Sequence, residues 1–209
     1  MLFPEVATKT RIVYQLKVTL RDISPPIWRR VQLSDETPLS KLHRILQLLL
    51  HWDGFHLHDF VANRIVYSVP SHEDRDFDRN VVDEKLVPLN RIIHQVGETF
   101  LYRYDFGDDW HHDILLEAIM LAEPDAVYPC CIAGARNAPP EDSGGPWGYT
   151  EYVEVLSDPA HDRHDELLDW NGPFDPEEFS LAAVNASLQR EFVRRAPKKK
   201  SAKPKHTAH

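Results

Sequence analysis

Cysteine is nearly absent from this sequence: 209 residues hold two, and they are neighbours, Cys130 and Cys131. A bridge between adjacent residues closes a strained ring, so a disulfide framework is excluded. Long apolar runs are missing as well. The longest, Ile45 to Leu50, is interrupted by Gln47 and falls far short of a bilayer span. No basic N-terminal region leads into an apolar segment, and the expectation is a soluble, cytoplasmic chain with no membrane attachment. Charge is unevenly placed. From Arg194 onward there are seven Lys and Arg and no Asp or Glu, which leaves 17 basic against 33 acidic groups in the rest, a body charge of −16. Such a body repels polyanions, which argues against a general nucleic-acid surface on the folded part. The tail lysines Lys198, Lys199, Lys200, Lys203 and Lys205 are the exception: they would hold phosphate weakly and without sequence preference, or serve only to solubilise the terminus.

What is present is the makings of one core. A hydrophobic content of 42% with 10% aromatics places the chain in the ordinary globular class. We expect a lead-in over residues 1–11, one domain over 12–193 and a disordered basic tail over 194–209. Thr99 to Glu117 organises the domain. Phe100, Tyr102 and Tyr104 alternate with Leu101, Arg103 and Asp105, and Trp110, His112, Ile114 and Leu116 alternate with polar neighbours across a Phe106-Gly107-Asp108-Asp109 turn, which reads as a β-hairpin. Ile12 to Leu20 and Ile27 to Leu33 read as a pair separated by Ser24-Pro25-Pro26, and Phe55 to Val61 with Arg64 to Val69 as another hairpin. Thr37-Pro38 opens a helix whose Leu42, Ile45, Leu46 and Leu49 recur at helical spacing. Ser71 to Lys85 reads as a mobile surface loop, Leu86 to Val96 as a short helical element, and Glu123 to Gly148 as a long irregular one. Short helices follow at Tyr149 to Leu156 and Asp162 to Asp169. A last helix is expected to begin at the Asp175-Pro176-Glu177-Glu178 capping box and to bury Phe179, Ala182, Ala183, Ala186 and Leu188. The fold class is α+β, a mostly antiparallel sheet of hairpins with a helix on one face and helices at the C-terminal end.

The chemistry-bearing residues crowd the central hairpin and the Pro139 to Tyr149 loop. Asp105, Asp108, Trp110, His112, Glu141, Asp142 and Tyr149 form the candidate functional surface, since acids and aromatics on loops beside a rigid hairpin suit recognition. The same residues suit a solvated turn and ordinary core filling. His56 and His58 would share one face of a strand, and with Asp105 and His112 they are the candidate ligands of a divalent metal; Cys130 is a softer donor. Two functions compete. A binding or interaction module for a protein or small molecule needs only an aromatic-lined groove, and no complete nucleophile–base–orienter set is visible. A metal-dependent hydrolase or nuclease-like enzyme would draw on His56 or His58, Asp105, His112, Glu141 and Asp142. Whether the chain is an enzyme stays open on the sequence.

Taken in order, PPIWRR (Pro25 to Arg30), His56-Leu57 with Asp59-Phe60, YDFGDDWHH (Tyr104 to His112), PPEDSGGPWGY (Pro139 to Tyr149) and WNGPFDPEEF (Trp170 to Phe179) resemble the plasmid pRiA4b ORF-3-like family. Its members also carry a label as passenger proteins of bacterial transposable elements with a resolvase-type name. The resemblance spans residues 12 to 190 and implies a single α+β domain and a link to plasmids and mobile elements. Recombination chemistry does not follow from it. A serine recombinase needs an activated serine among arginines, and a tyrosine recombinase a His-x-x-Arg set; here His161 is followed three residues later by His164.

Overall fold

The computed structural model describes residues 11–70 and 81–192. Eight strands form a single sheet: β1 Ile12–Leu20, β2 Trp28–Ser34, β3 His58–Ala62, β4 Ile65–Ser68, β5 Val81–Asp83, β6 Thr99–Tyr104, β7 Trp110–Leu121 and β8 Cys130–Ala135. Their order is β5-β4-β3-β6-β7-β1-β2-β8. All pairs are antiparallel except β4 with β5. The α-helices among the described residues are α1 Leu39–Leu50, α2 Gly145–Ser157, α3 His164–Asn171 and α4 Leu181–Phe192. None is long and apolar enough to cross a membrane among the described residues.

Period two decides which strand residues face inward. Leu16, Val18, Val31, Leu33, Phe60, Phe100, Tyr102, Ile114 and Leu116 are buried on the sheet, and α1 lays Leu39, Leu42, Ile45, Leu46 and Leu49 against them, all five with no exposed surface. The opposite face carries polar partners, among them Arg30 bonded to Glu117 at 2.5 and 2.8 Å with Gln15 alongside. This is the expected α+β sheet with a helix on one face.

The differences lie where composition misleads. Part of the expected surface loop, Val81–Asp83, is strand β5; residues 71–80 of that loop, the lead-in 1–10 and the tail from 193 lie outside the described residues. The short helical element expected over Leu86 to Val96 is there only as a single 3₁₀ turn, not as an α-helix. That turn, Leu89–Arg91, buries Leu89, and another, Glu84–Leu86, precedes it. The stretch expected to be irregular, 123–148, contains β8 and the start of α2. β8 reads CCIAGA, small residues of low strand propensity with no alternation, and it exists because it pairs with β2. The last helix starts later than the Asp175 capping box. Asp175 Oδ1 accepts from Glu177 N at 2.9 Å to close a turn, and Ser180 Oγ accepts from Ala183 N at 3.2 Å to cap α4. The register is therefore different from that expected: α4 buries Val184 and Leu188, while Ala182, Ala183 and Ala186 are exposed and Phe179 packs from the preceding turn.

Two side chains hold the β8 end. Arg29, 1% exposed, donates to the carbonyls of Leu49, Trp28 and Ala135 at 3.0, 2.9 and 2.9 Å and lies 4.5 Å above the Phe179 ring. Asn185 of α4 bonds both backbone groups of Cys131: its Oδ1 accepts from the N–H and its Nδ2 donates to the C=O, each at 2.8 Å.

Candidate functional site

The site grows from the turn between β6 and β7. Asp105 and Asp109 adopt left-handed φ of 53° and 55°, a conformation aspartate tolerates better than most residues. Asp105 Oδ1 accepts from Gly107 N at 3.0 Å, and its own N–H donates to the Leu57 carbonyl at 2.8 Å. That fastens the turn to the segment before β3 and leaves Oδ2 facing His56 Nδ1 at 3.4 Å. The Pro139–Gly144 loop arrives from the other side. Trp52 Nε1 donates to the Pro139 carbonyl at 2.8 Å, Glu141 accepts from the Tyr104 hydroxyl and from Asp53 N at 3.0 Å, and Asp108 Oδ2 accepts from Gly144 N at 3.0 Å. Tyr104 is stacked on Trp52 with centroids 5.0 Å apart. Burial, then the bond to Glu141, pushes the Tyr104 phenol well above its ordinary range, so it stays a neutral donor. So held, Asp142 places Oδ1 3.2 Å from His56 Nε2.

His56, Asp105 and Asp142 thus offer one imidazole and two carboxylates whose donor atoms all lie within 4.8 Å of one another. His56 is half-buried, Asp105 buried and Asp142 exposed. A set of this kind suits zinc, manganese or iron, with coordination positions left for water or ligand. The two ring nitrogens of His56 each face one of the two carboxylates.

Of the other sequence candidates, several lie elsewhere. His56 lies before β3, which begins at His58, and His58 is not among the three converging donors. Its Nε2 pairs with Glu84 at 2.9 Å, and its ring stacks on His43, 3.5 Å between centroids and 3° from parallel. His43 and Gln47 in turn bond the buried Tyr102 hydroxyl at 2.7 and 2.9 Å. This second polar group, separate from the first, was hidden in the sequence because Glu84 comes from a stretch that reads as loop. Trp110 and Tyr149, 1% and 2% exposed, are core rather than surface; Tyr149 packs edge-on against Phe174.

His112 also leaves the metal set. It faces inward with Trp110 and Ile114, is fully buried between Trp52 and Tyr102, and neither ring nitrogen makes a well-formed hydrogen bond among the described residues. Burial lowers its pKa to about 3, and likewise that of His43. Both rings are therefore neutral in the fold, whereas in the unfolded chain they take protons below about 6.5. Their contribution to stability is fully present above that pH and is lost as pH falls from there toward 3. The urea midpoint is expected to fall between about pH 7.5 and about pH 5, with a shallower slope for His112→Phe; equal slopes would assign the acid sensitivity elsewhere.

Fold and site together define a single-sheet α+β protein with a polar three-donor centre at the turn of its central hairpin. The profile of the plasmid pRiA4b ORF-3-like proteins matches residues 12–183, and the chain belongs to that family. An uncharacterised protein of Sinorhizobium fredii, y4hQ, is 38% identical over 182 residues, covering 87% of this chain and 90% of that one. A crystal structure of MM3350 from Methanosarcina mazei Go1, a protein of unknown function, is 35% identical with a TM-score of 0.75, covering 82% of this chain and 97% of that one.

Proposed function

We propose that this protein is a cytoplasmic ligand-binding module of plasmid and mobile-element contexts, and that its binding centre is a divalent cation held by His56, Asp105 and Asp142. The convergence of these donors from three separate chain segments carries the reading. A solvated turn has no need of the hydrogen bonds that hold each segment: Asp105 N to Leu57, Gly144 N to Asp108 and Glu141 to Asp53 N. The cytoplasm is supported by the two free cysteines, which an oxidising compartment would expose to pairing between molecules.

Metal content of untagged protein prepared without chelator, read by plasma mass spectrometry, tests this. Near-stoichiometric zinc, manganese or iron is expected. The His56→Ala/Asp142→Asn variant is expected to lose it, with metal affinity reduced at least about 100-fold. Wild-type protein that takes up none of these metals when they are supplied in excess refutes the reading. Metal-dependent hydrolysis is the second reading, favoured because three protein donors leave positions for an attacking water. Turnover of a phosphodiester or ester that requires the metal and disappears in Asp105→Asn would place it first.

A further inference from the structure

The centre is bordered by large apolar side chains set in water. Phe55 and Leu57, on either side of His56, are 86% and 73% exposed, and Trp147, in the first turn of α2, is 88% exposed. No cation stacks on Trp147 among the described residues. Trp147 forms one wall of a cleft of about 620 Å³ whose other walls include Asp22, Asp108 and Asp109. No Lys or Arg of the described residues lines that cleft. Two arginines outside the cleft act on these acids while bonded elsewhere: Arg21, bonded twice to Asp113 at 2.9 and 2.6 Å, also attracts Asp22, and Arg103, bonded to Asp59, also attracts Asp109. Of the lining groups, His111 is paired with Asp109 at 2.9 Å.

An indole facing water beside three carboxylates, none of them bonded to a lysine or arginine of the described residues, suits an ammonium on an alkyl stem, which gains from the ring face and the acids together. The sequence supplies one within reach. Described structure ends at Phe192, whose ring lies 4.9 Å from Lys41 Nζ near the start of α1. The other end of α1 runs into Trp52 and Asp53, beside Glu141 and Tyr104. From Lys41 to Leu50 is about 14 Å along the helix. Lys198 reaches about 20 Å from Phe192 and Lys205 about 43 Å, at about 3.3 Å per residue. The segment from Lys198 to Lys205 carries five lysines and no acid, against a body of charge −16.

We propose that the lysine-rich segment Lys198–Lys205 of the same chain docks on this aromatic and acidic face, with a lysine over Trp147 and its ammonium among Asp22, Asp108 and Asp109. A polyanion must then compete for lysines that the body already holds. Docking does not require that a metal bind, so it stands or falls separately from the proposed cation centre.

Zero-length carbodiimide crosslinking of the full chain, read by peptide mass spectrometry on a mixture of unlabelled and ¹⁵N-labelled protein, tests it. Links from Lys203 and Lys205 to Asp22, Asp108 or Asp109 are expected within one copy. Their yield is expected to fall at least about tenfold at about 1 M salt, where the Debye length is about 3 Å, and about fivefold in Trp147→Ala. Because Trp147 is exposed, that variant keeps its fold, and Asp109→Asn provides a second check on the acids. Links spread evenly over the acidic surface, links only between labelled and unlabelled copies, or yields unchanged in Trp147→Ala would each overturn the proposal.

Discussion

Gly145→Ala is expected to lower stability by about 3 kcal/mol, a fall in melting temperature of roughly 10 °C for a chain of this size, and to abolish cation binding. Two costs add. Gly145 has φ of +69°, and a Cβ built on it would lie 2.2 Å from the Asp108 carbonyl oxygen. That atom belongs to the hairpin turn, fixed on one side by Leu57 and on the other by Gly144, so it has nowhere to retreat. The loop must lift off, carrying Asp142 away from His56. Gly97→Ala separates the two costs: Gly97 has φ of +96° with nothing within 4 Å of a Cβ, and only the backbone strain, about 1 kcal/mol, is expected there. Thermal unfolding and metal titration of both variants check the prediction. Equal losses would mean that the close approach contributes nothing.

Arg29→Ala is expected to cost about 4 kcal/mol, since it strands buried acceptors and opens a cavity. Arg29 sits with its guanidinium on three carbonyls and has no carboxylate partner among the described residues. Burial lowers its pKa only to about 10, so it remains charged at neutral pH. One acceptor is the Leu49 carbonyl in the last turn of α1, where the helix dipole favours a cation; the others lie on β2 and at the end of β8. One planar fork therefore ties helix, sheet interior and sheet edge together. Arg29→Lys is expected to recover less than half of the loss, because an ammonium cannot span acceptors arranged for a fork. Denaturant unfolding distinguishes these outcomes, and full rescue by lysine would reduce the role of Arg29 to charge alone.

How much of this was legible depended on whether a residue's neighbours in sequence were also its neighbours in space. The central hairpin, β1 and α1 follow from alternation or helical spacing over runs long enough to leave one reading, and Leu42, Ile45, Leu46 and Leu49 are core as expected. β8 was illegible because pairing with β2, not its own residues, makes it a strand. Within the candidate centre, Asp105 and His56 were legible as polar groups near a turn. His112 was misplaced although its strand was right: the alternation that identified the strand also puts His112 on the face with Trp110 and Ile114, and that face is the interior. The link between Asp142 and His56 spans 86 residues, and the loop that makes it is positioned by Trp52, Tyr104 and Asp108. No local pattern announces such a contact.

The bond pair between Asn185 and Cys131 bears on why so plain a strand survives at the end of the sheet. An outermost strand ordinarily needs lysines, prolines or a bulge to keep a neighbouring molecule from zipping onto it, and CCIAGA has no charge and no proline, only a shift of register against β2 between Arg30 and Val31. Here a primary amide from a helix imitates one residue of a missing ninth strand, offering an acceptor and a donor to the N–H and C=O of the same residue. Protection against stacking of copies is thereby assigned to a distant codon, and β8 is released to keep the small side chains that let α4 and Phe179 lie close upon it.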